Sequence, residues 1–221
     1  MPYFNNKDIN LLFIHIPKTG GTSLETYFKL KYNIPLNNNS LWDFSTDENI
    51  KIDSSLQHIT YKQMVQNNNI LNIDFNNIKI ISIVRNPYER IVSDLFYNKL
   101  ITPRTTQKDV FNIITKYLVS DKYDNHNIPQ YKFVTDDNEG IIQNIHILRT
   151  ESLTNDMINL GYNDFNIFDN VNKNKVNYYK YLNIDSILII NQFYHLDFIL
   201  FNYNKITFKN QKFFNRGRFT V

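Results

Sequence analysis

The stretch that decides the fold is LLFIHIPKTGGTSLE, residues 11–25. An apolar run at residues 11–16, ended by Pro17, is typical of a short buried strand. A glycine-containing loop follows, and a helix is then expected from Thr22 to about Tyr32. The stretch therefore predicts a strand, a loop and a helix in direct succession.

The loop between this strand and helix has the composition of an anion-binding site. Two glycines allow a ligand to approach the backbone closely, and the N-terminus of the helix directs N–H groups at it. Thr22 and Glu25 also have the spacing of a capping box. An ordinary glycine-containing turn is the alternative, but the density of donors favours binding of a phosphate. The candidate residues are Lys18, Thr19, Gly20, Gly21, Thr22 and Ser23.

The loop differs from a Walker A loop in the order of its residues. A Walker A loop carries its lysine after the last glycine, whereas Lys18 precedes Gly20. The next strand ends in Val84 and Arg85, so it offers no carboxylate for Mg²⁺. These features predict a phosphate site that needs no metal. They argue against a P-loop nucleotide kinase, which is one enzyme class that such a loop could indicate.

A second strand and helix carry the next candidates. Residues 78–84, IKIISIV, are rich in β-branched residues and predict a buried strand. Asn86 as N-cap and Pro87 as first helical residue predict that a helix begins at once. Arg85 stands at the carboxyl end of the strand, where open α/β sheets bind ligands, and Ser93 follows two helical turns later. Both are candidates for a second phosphate, with a salt-bridged arginine and a surface serine as the alternative.

The same succession recurs a third time, with a strand at 144–148 and a helix from about Ser152. Three such units predict an α/β fold of the P-loop-like, three-layer kind, with a central parallel sheet flanked by helices. We expect a single domain over residues 1–221. Further helices are expected near 60–69, at 107–119 and at 185–201, the last capped by Asp185.

The composition excludes several classes of site. The chain has 35 Asn and 30 Ile but no Ala, and folding physics does not ask for this mixture, since Ala is the best helix former. We attribute it to an AT-rich genome. The absence of Cys excludes disulfides, thiol nucleophiles, Cys-ligated zinc and iron–sulfur clusters. Five His residues with no close pair in the sequence argue against a His-rich metal site.

Charge and hydropathy predict a soluble, cytoplasmic protein. A net charge of +3 is too small to indicate nucleic-acid binding. The sequence has no basic N-terminal region followed by an apolar stretch, and no run of 18 apolar residues. A signal peptide and a membrane span are therefore not expected, and the oligomeric state is left open. The basic residues between Lys205 and Arg218 are expected to form a solvated tail, with a patch for an acidic acceptor or for the nucleotide as the alternative.

Residues 13–23 and 82–93 together resemble two motifs of the sulfotransferases that use 3′-phosphoadenosine 5′-phosphosulfate (PAPS). The first is similar to their 5′-phosphosulfate loop and the second to their 3′-phosphate motif. The resemblance is closest to the branch that contains heparan sulfate 2-O-sulfotransferase and bacterial and viral relatives. Weaker resemblances follow in the same order, at residues 57–61, 126–130, 148–153 and 196–203.

The resemblance implies an enzyme that moves a sulfuryl group from PAPS to a hydroxyl acceptor, such as a carbohydrate or a small molecule. Lys18 would assist the transfer and, with residues 19–23, would hold the 5′-phosphosulfate. Arg85 and Ser93 would hold the 3′-phosphate. No metal is implied.

A hydroxyl acceptor requires a general base, and His is the usual one near neutral pH. In the branch that this sequence resembles, a catalytic His lies at the position of His58. His126 is the second candidate. The matching segments also make His126 and Gln130 candidates for binding the acceptor. The alternative that is not an enzyme is a domain that binds the nucleotide, or a partner, and performs no chemistry.

Overall fold

A computed structural model describes residues 1–36, 54–138, 140–166 and 177–208. Within them, four strands form one sheet in sequence order. Strands β2, β3 and β4 run parallel, whereas β1 pairs antiparallel with β2. The predicted α/β class is confirmed, but the sheet is mixed rather than wholly parallel. The strands are β1 Tyr3–Asn6, β2 Ile9–Ile14, β3 Lys79–Val84 and β4 Ile145–Arg149.

The edge strand β1 was not predicted from the sequence. It forms a hairpin with β2, and the side-chain oxygen of Asn6 accepts hydrogen bonds from the backbone N–H groups of Asp8 at 2.8 Å and Ile9 at 3.2 Å. Such asparagine turns mimic a backbone turn. Phe4 is fully buried. A strand of four residues with one buried side chain in its interior gives too short a pattern to recognise.

A helix follows each parallel strand, and the later helices pack together into a helical layer. None of those in the described ranges is long and apolar enough to span a bilayer. The basic residues beyond 208 lie outside the described residues. The helices are α1 Gly21–Tyr32, α2 Tyr61–Gln66, α3 Asn68–Leu71, α4 Pro87–Tyr97, α5 Gln107–Leu118, α6 Leu153–Asn159, α7 Ile184–Phe193 and α8 His195–Leu200, with 3₁₀ turns at Leu56–His58, Gln130–Phe133, Thr150–Ser152 and Tyr178–Tyr181.

The predicted start of α4 is confirmed. The capping box predicted for α1 is wrong. Pro87 is the first residue of α4, and Asn86 accepts a hydrogen bond from the backbone N–H of Tyr88 at 3.0 Å. Helix α1 instead begins after Gly20, with no side-chain cap. Glu25, the expected capping partner, is buried inside the protein. The first turn of α1 is therefore capped by no side chain of the described residues.

The last predicted helix is divided in two. Tyr194 ends α7 and precedes α8, so the helix predicted over 185–201 does not run through. The cap is Asn183 rather than Asp185, because the Asn183 side chain accepts from the backbone N–H of Ser186 at 2.8 Å. The buried Tyr194 hydroxyl donates to the carbonyl of Asn127 at 2.9 Å, which ties this junction to a distant loop.

Side chains of the central strands alternate between two buried faces, as expected for a sheet covered on both sides. One face packs on α1 and α6, the other on α2 and the loops near Phe133, and a third core joins α4, α5, α7 and α8. This layering places the carboxyl ends of β2, β3 and β4 side by side. The residues of the first face are Leu11, Phe13, Ile81 and Ile83, and those of the second are Leu12, Ile14, Ile80 and Val84.

A substitution at Ile83 tests the packing of the inner core. It is completely buried in the middle strand of the parallel group. Truncating a buried Ile removes apolar contacts and leaves a cavity, so we expect Ile83→Ala to lower the free energy of unfolding by about 2–5 kcal/mol. Ile199→Ala, at a helix position that is 58% exposed, should change it by less than about 0.5 kcal/mol. Urea denaturation of both variants measures the difference, and equal effects would contradict the described core.

Candidate active site

The loop after β2 has a fixed shape that its sequence explains in part. Lys18 and Gly20 adopt left-handed backbone conformations, with φ of 66° and 91°. The buried Thr19 hydroxyl donates to the carbonyl of Ile16 at 2.8 Å, so it holds the loop from within. Thr150, after β4, donates to the carbonyl of Thr19 at 2.6 Å. The loop is thus braced both internally and by the neighbouring strand end.

Each of the two glycines is required for a different reason. Gly20 has a positive φ, which side chains other than Gly rarely adopt. Gly21 begins α1, and a Cβ atom there would lie 2.6 Å from Nε2 of His15. Only a residue without a side chain allows the helix N-terminus to approach the His15 ring so closely.

The N-terminus of α1 is suited to an anion. Gly20 and Thr22 are exposed, whereas Gly21 and Ser23 are buried. Helix α1 has twelve residues and no side-chain cap, so its dipole and first-turn N–H groups favour negative charge at this point. The sequence-predicted loop residues are therefore brought together around one helix end.

Arg85 lies beside this loop, at the end of β3. Its Nη1 donates to the carbonyl of Lys18 at 3.3 Å, and its Nη2 donates to Glu89 at 3.2 Å. The ring of Tyr178 lies 5.0 Å below the guanidinium. The buried Nε of Arg85 has no hydrogen-bond partner among the described residues. A buried donor of this kind costs free energy unless a ligand or water accepts from it.

Gln130, a candidate acceptor-binding residue, lies against the backbone of Arg85. It is fully buried. Its side-chain oxygen accepts from the backbone N–H of Arg85 and its amide donates to the backbone carbonyl of Arg85, both at 2.9 Å. Both polar groups of the side chain are thus used in fixing the turn between β3 and α4.

Ser93 shares one face of α4 with Glu89 and Tyr97, since these residues are four apart. Ser93 is half-buried. The Nζ atom of Lys18 lies 3.9 Å from the centre of the Tyr97 ring. This face of α4 therefore extends from the Arg85 guanidinium to the Lys18 ammonium group.

The environment of Lys18 shifts its titration. Burial lowers the pKa of the ammonium group, the Asp94 carboxylate opposes this, and the Arg85 guanidinium lowers the pKa further. A partly desolvated cation beside a second cation favours an anionic ligand, because the ligand would restore the balance of charge.

His58 is held by a carboxylate from a distant loop. Its Nδ1 lies 2.7 Å from Oδ2 of Asp124. Because a carboxylate only accepts, we assign the proton to Nδ1 and leave Nε2 unprotonated. Burial lowers the pKa of His58 to about 4, against the opposing effect of Asp124. The neutral ring is therefore in the form that can accept a proton.

Asp124 is itself fixed by the segment that carries His58. Its carboxylate accepts from the backbone N–H of Ser55 at 2.5 Å and from the Ser55 hydroxyl at 2.9 Å. Asn125 donates to the carbonyl of His58 at 2.9 Å. The two segments are thus joined by four hydrogen bonds, counting the one to the ring.

Three histidines meet at the site, although no two are close in the sequence. The His58 ring lies edge-on to His15 at 5.4 Å and to His126 at 4.8 Å between centroids. Each is paired through Nδ1 with its own carboxylate, His15 with Glu25 at 2.5 Å and His126 with Asp94 at 2.7 Å. The spacing of the histidines in the sequence gives no sign of this cluster, because the contacts are tertiary.

The group His58, Asp124 and His126 offers three donor atoms that lie within 4.8 Å of one another. Imidazole nitrogens with one carboxylate are a donor set that a transition-metal ion can use. His126 also stacks on Tyr97, with centroids 5.5 Å apart and planes inclined by 11°. His126 therefore connects His58 to the aromatic ring that lies under Lys18.

Comparison with known proteins identifies the family. The model described as "Sulfotransferase family" matches residues 1–204, which is most of the chain. The chain belongs to this sulfotransferase family. Comparisons with the curated proteins and with the solved structures give no match. The family assignment of the sequence motifs is thus confirmed, and the particular branch stays a prediction.

Several residues of this candidate site were not found from the sequence. Asp124 lies 66 residues from His58 and has no motif around it, although Asp124 and Asn125, both with positive φ, form a dipeptide typical of turns. Arg90 and Asp94 are charged residues on the buried side of α4, and their helical spacing could have revealed them. Tyr97 has an exposed ring with no sequence signal.

The two glycines of the loop after β2, Gly20 and Gly21, give a test of its geometry. A Cβ atom added at Gly20 or Gly161 would meet no atom closer than 4.0 Å among the described residues, and both positions have φ near 91°. Each should lower the free energy of unfolding by about 1–2 kcal/mol. Gly21→Ala should cost about 1–3 kcal/mol through overpacking against His15 and should also displace that ring.

Thermal denaturation and the histidine ring signals in NMR spectra separate these effects. Only Gly21→Ala should move the His15 signals strongly, with Gly161→Ala as the matched control. Unchanged His15 signals in Gly21→Ala would contradict the close contact described above.

Proposed function

We propose that this sulfotransferase transfers a sulfuryl group from PAPS to a hydroxyl group of an acceptor. One observation carries the proposal: the buried Nε of Arg85 lacks a partner among the described residues, beside a loop that presents a lysine and a helix N-terminus. Two anion sites at neighbouring strand ends suit a nucleotide that carries phosphate at both its 5′ and 3′ positions.

The 5′ end of PAPS would lie on the first loop. Residues 20–23 would provide backbone N–H groups and hydroxyls to the phosphosulfate, and Lys18 would provide the positive charge. Thr19 would contribute through its backbone, since its hydroxyl already donates to Ile16. Lys18 would leave the face of Tyr97 to pair with the anion.

The 3′-phosphate would lie on Arg85 and Ser93. Arg85 would donate from Nε, and Ser93 from its hydroxyl on the adjoining face of α4. The guanidinium is held in place by Lys18, Glu89 and Tyr178. Gln130 would act on the nucleotide only through the backbone of Arg85. Pre-organised donors lose little conformational entropy when a ligand binds.

The transfer step would use His58 as general base. PAPS supplies the sulfuryl group. The acceptor oxygen would form its bond to sulfur as the bond from sulfur to the 5′-phosphate oxygen breaks, and Nε2 of His58 would take the acceptor proton. Lys18 would neutralise the charge that grows on the departing phosphate oxygen. Asp124 would stabilise the imidazolium that results, as a buried carboxylate does beside a catalytic His.

The acceptor would enter beside His126 and Tyr97. Tyr97 is 57% exposed, and it is the partner both of Lys18 and of the His126 ring. We assign the acceptor to the class of carbohydrates or small hydroxyl compounds, with His126 as a residue that contacts it.

Nucleotide binding tests the donor assignment. Saturation with 3′-phosphoadenosine 5′-phosphate (PAP) at about 100 times its Kd should stabilise the protein by about 2.7 kcal/mol. In a chain of this size, that corresponds to a rise in Tm of roughly 5–10 °C. AMP, which lacks the 3′-phosphate, should give a clearly smaller rise at the same concentration. Arg85→Gln should remove the difference between PAP and AMP.

Arg104→Gln is the matched control, because Arg104 is exposed in the turn before α5. It should retain the preference for PAP. Equal stabilisation by PAP and AMP in the unmodified protein would contradict the donor assignment.

The role of His58 is tested by separating transfer from binding. His58→Ala should reduce transfer by at least about 100-fold, the lower limit for a general base. Its Tm rise with PAP should remain, because His58 is not assigned to nucleotide binding. His146→Ala, which changes an exposed histidine in β4, should retain transfer. Normal turnover in His58→Ala would exclude the assignment.

The pH profile gives a second test. A base is active in its neutral form, and the pKa of His58, lowered from 6.5 to about 4, keeps it neutral well below neutral pH. Transfer should therefore persist between pH 8 and 6 and decline as the pH falls through about 4. An acidic limb centred near 6.5 would show that a histidine with an ordinary pKa is the base.

A further inference from the structure

Three buried polar side chains from separate segments form a network behind the proposed active site. His15 follows β2, Glu25 lies in α1 and Gln57 lies in the 3₁₀ turn that carries His58; each is 5% exposed. Buried groups of this kind cost free energy unless they are hydrogen-bonded. They therefore need a structural or functional reason.

The carboxylate of Glu25 is the centre of the network. The amide nitrogen of Gln57 donates to both its oxygens, at 3.0 Å each, and Nδ1 of His15 lies 2.5 Å from Oε1. Burial alone would raise the pKa of Glu25, but His15 and then Gln57 outweigh it and hold the pKa below its usual value. Glu25 is therefore ionised and fully paired at neutral pH.

The network touches both parts of the proposed reaction. On one side, the His15 ring packs against Gly21, at 2.6 Å from where a Cβ atom would stand. The ring therefore lies under the N-terminus of α1, which follows the proposed PAPS-binding loop of residues 18–23, here called the donor loop. On the other side, Gln57 directly precedes His58, whose ring lies edge-on to His15. Glu25 is thus joined directly to Gln57 in the segment of the base, and through His15 to the start of α1.

We propose that Glu25 is a positioning residue that sets the location of His58 relative to the donor loop. This inference rests on the proposed function. Glu25 would not touch donor or acceptor; it would act through Gln57 and His15. In-line transfer requires the base and the reacting sulfur in a narrow geometry, and a displacement of about 1 Å can reduce the rate by about 100-fold.

The first test is Glu25→Gln, which keeps the shape of the side chain and removes its charge. We expect kcat to fall by about 10-fold to 100-fold, while the Kd for PAP changes by less than about twofold. A residue with only a structural role would lower Tm and weaken both quantities together. An unchanged kcat, or an equal loss of PAP affinity, would overturn the proposal.

The second test exchanges the two groups. In Glu25→Gln combined with Gln57→Glu, the amide and carboxylate change places, and the new carboxylate would stand near Nδ1 of His15, where the Gln57 nitrogen now lies at 3.0 Å. We expect the double variant to recover part of the kcat lost in Glu25→Gln. A further loss instead of recovery would argue that Glu25 acts by itself rather than through Gln57.

The third test does not depend on activity. The His58 ring signals, assigned by their loss in His58→Ala, should shift in the NMR spectrum of Glu25→Gln without any ligand. The control is Asp164→Asn, which removes the exposed ion pair between Asp164 and Lys31 of α1 and should leave the His58 signals unchanged.

Unchanged His58 signals in Glu25→Gln would overturn the positioning role whatever the protein transfers. Conversely, shifted signals in a protein that does not bind PAP would reject the proposed function and leave only the structural link between Glu25 and His58.

Discussion

One buried arginine holds together the segments that form the site. Arg90 of α4, 2% exposed, donates from Nε to the carbonyl of Pro17 at 3.0 Å, from Nη1 to that of Ile128 at 3.0 Å and from Nη2 to that of His126 at 2.7 Å. A buried guanidinium is stable only if its donors are used, and here all three nitrogens are. The loop after β2 and the loop with Asp124 are thereby fixed to one helix.

A second buried charge completes this arrangement from the opposite side. Glu25 joins the start of α1 to the segment of His58, and Asp124 joins that segment to the loop that Arg90 holds. Most polar groups near the site are therefore used in folding. Among the described residues, three buried side-chain atoms have no hydrogen-bond partner, namely Ser54 Oγ, Ser186 Oγ and Arg85 Nε. Arg85 Nε carries the functional argument because it belongs to a cation that lies beside the loop after β2. Rigid strand and helix ends hold catalytic groups more accurately than mobile loops.

Local sequence predicted the three parallel strands, the glycine-containing loop after β2 and the start of α4, because each depends on residues a few positions apart. Gly20, Asn86 and Pro87 act on their own backbone. The pairings of Glu25 and Asp124 could not be predicted, since their partners lie 32 and 66 residues away. Tertiary contact also prevailed over the local sequence pattern. Glu25 has capping-box spacing, yet its carboxylate is buried and paired with His15. This pairing satisfies a charge that a cap at the helix start would leave in water.

The central claim is that the loop after β2 and the end of β3 form one nucleotide site. A crystal structure of the protein with PAP tests it most directly. We expect the 5′-phosphate at the N–H groups of Gly20, Gly21 and Thr22, and the 3′-phosphate within hydrogen-bonding distance of Arg85 Nε and the Ser93 hydroxyl. PAP bound elsewhere, or bound with its 3′-phosphate away from Arg85, would contradict the account.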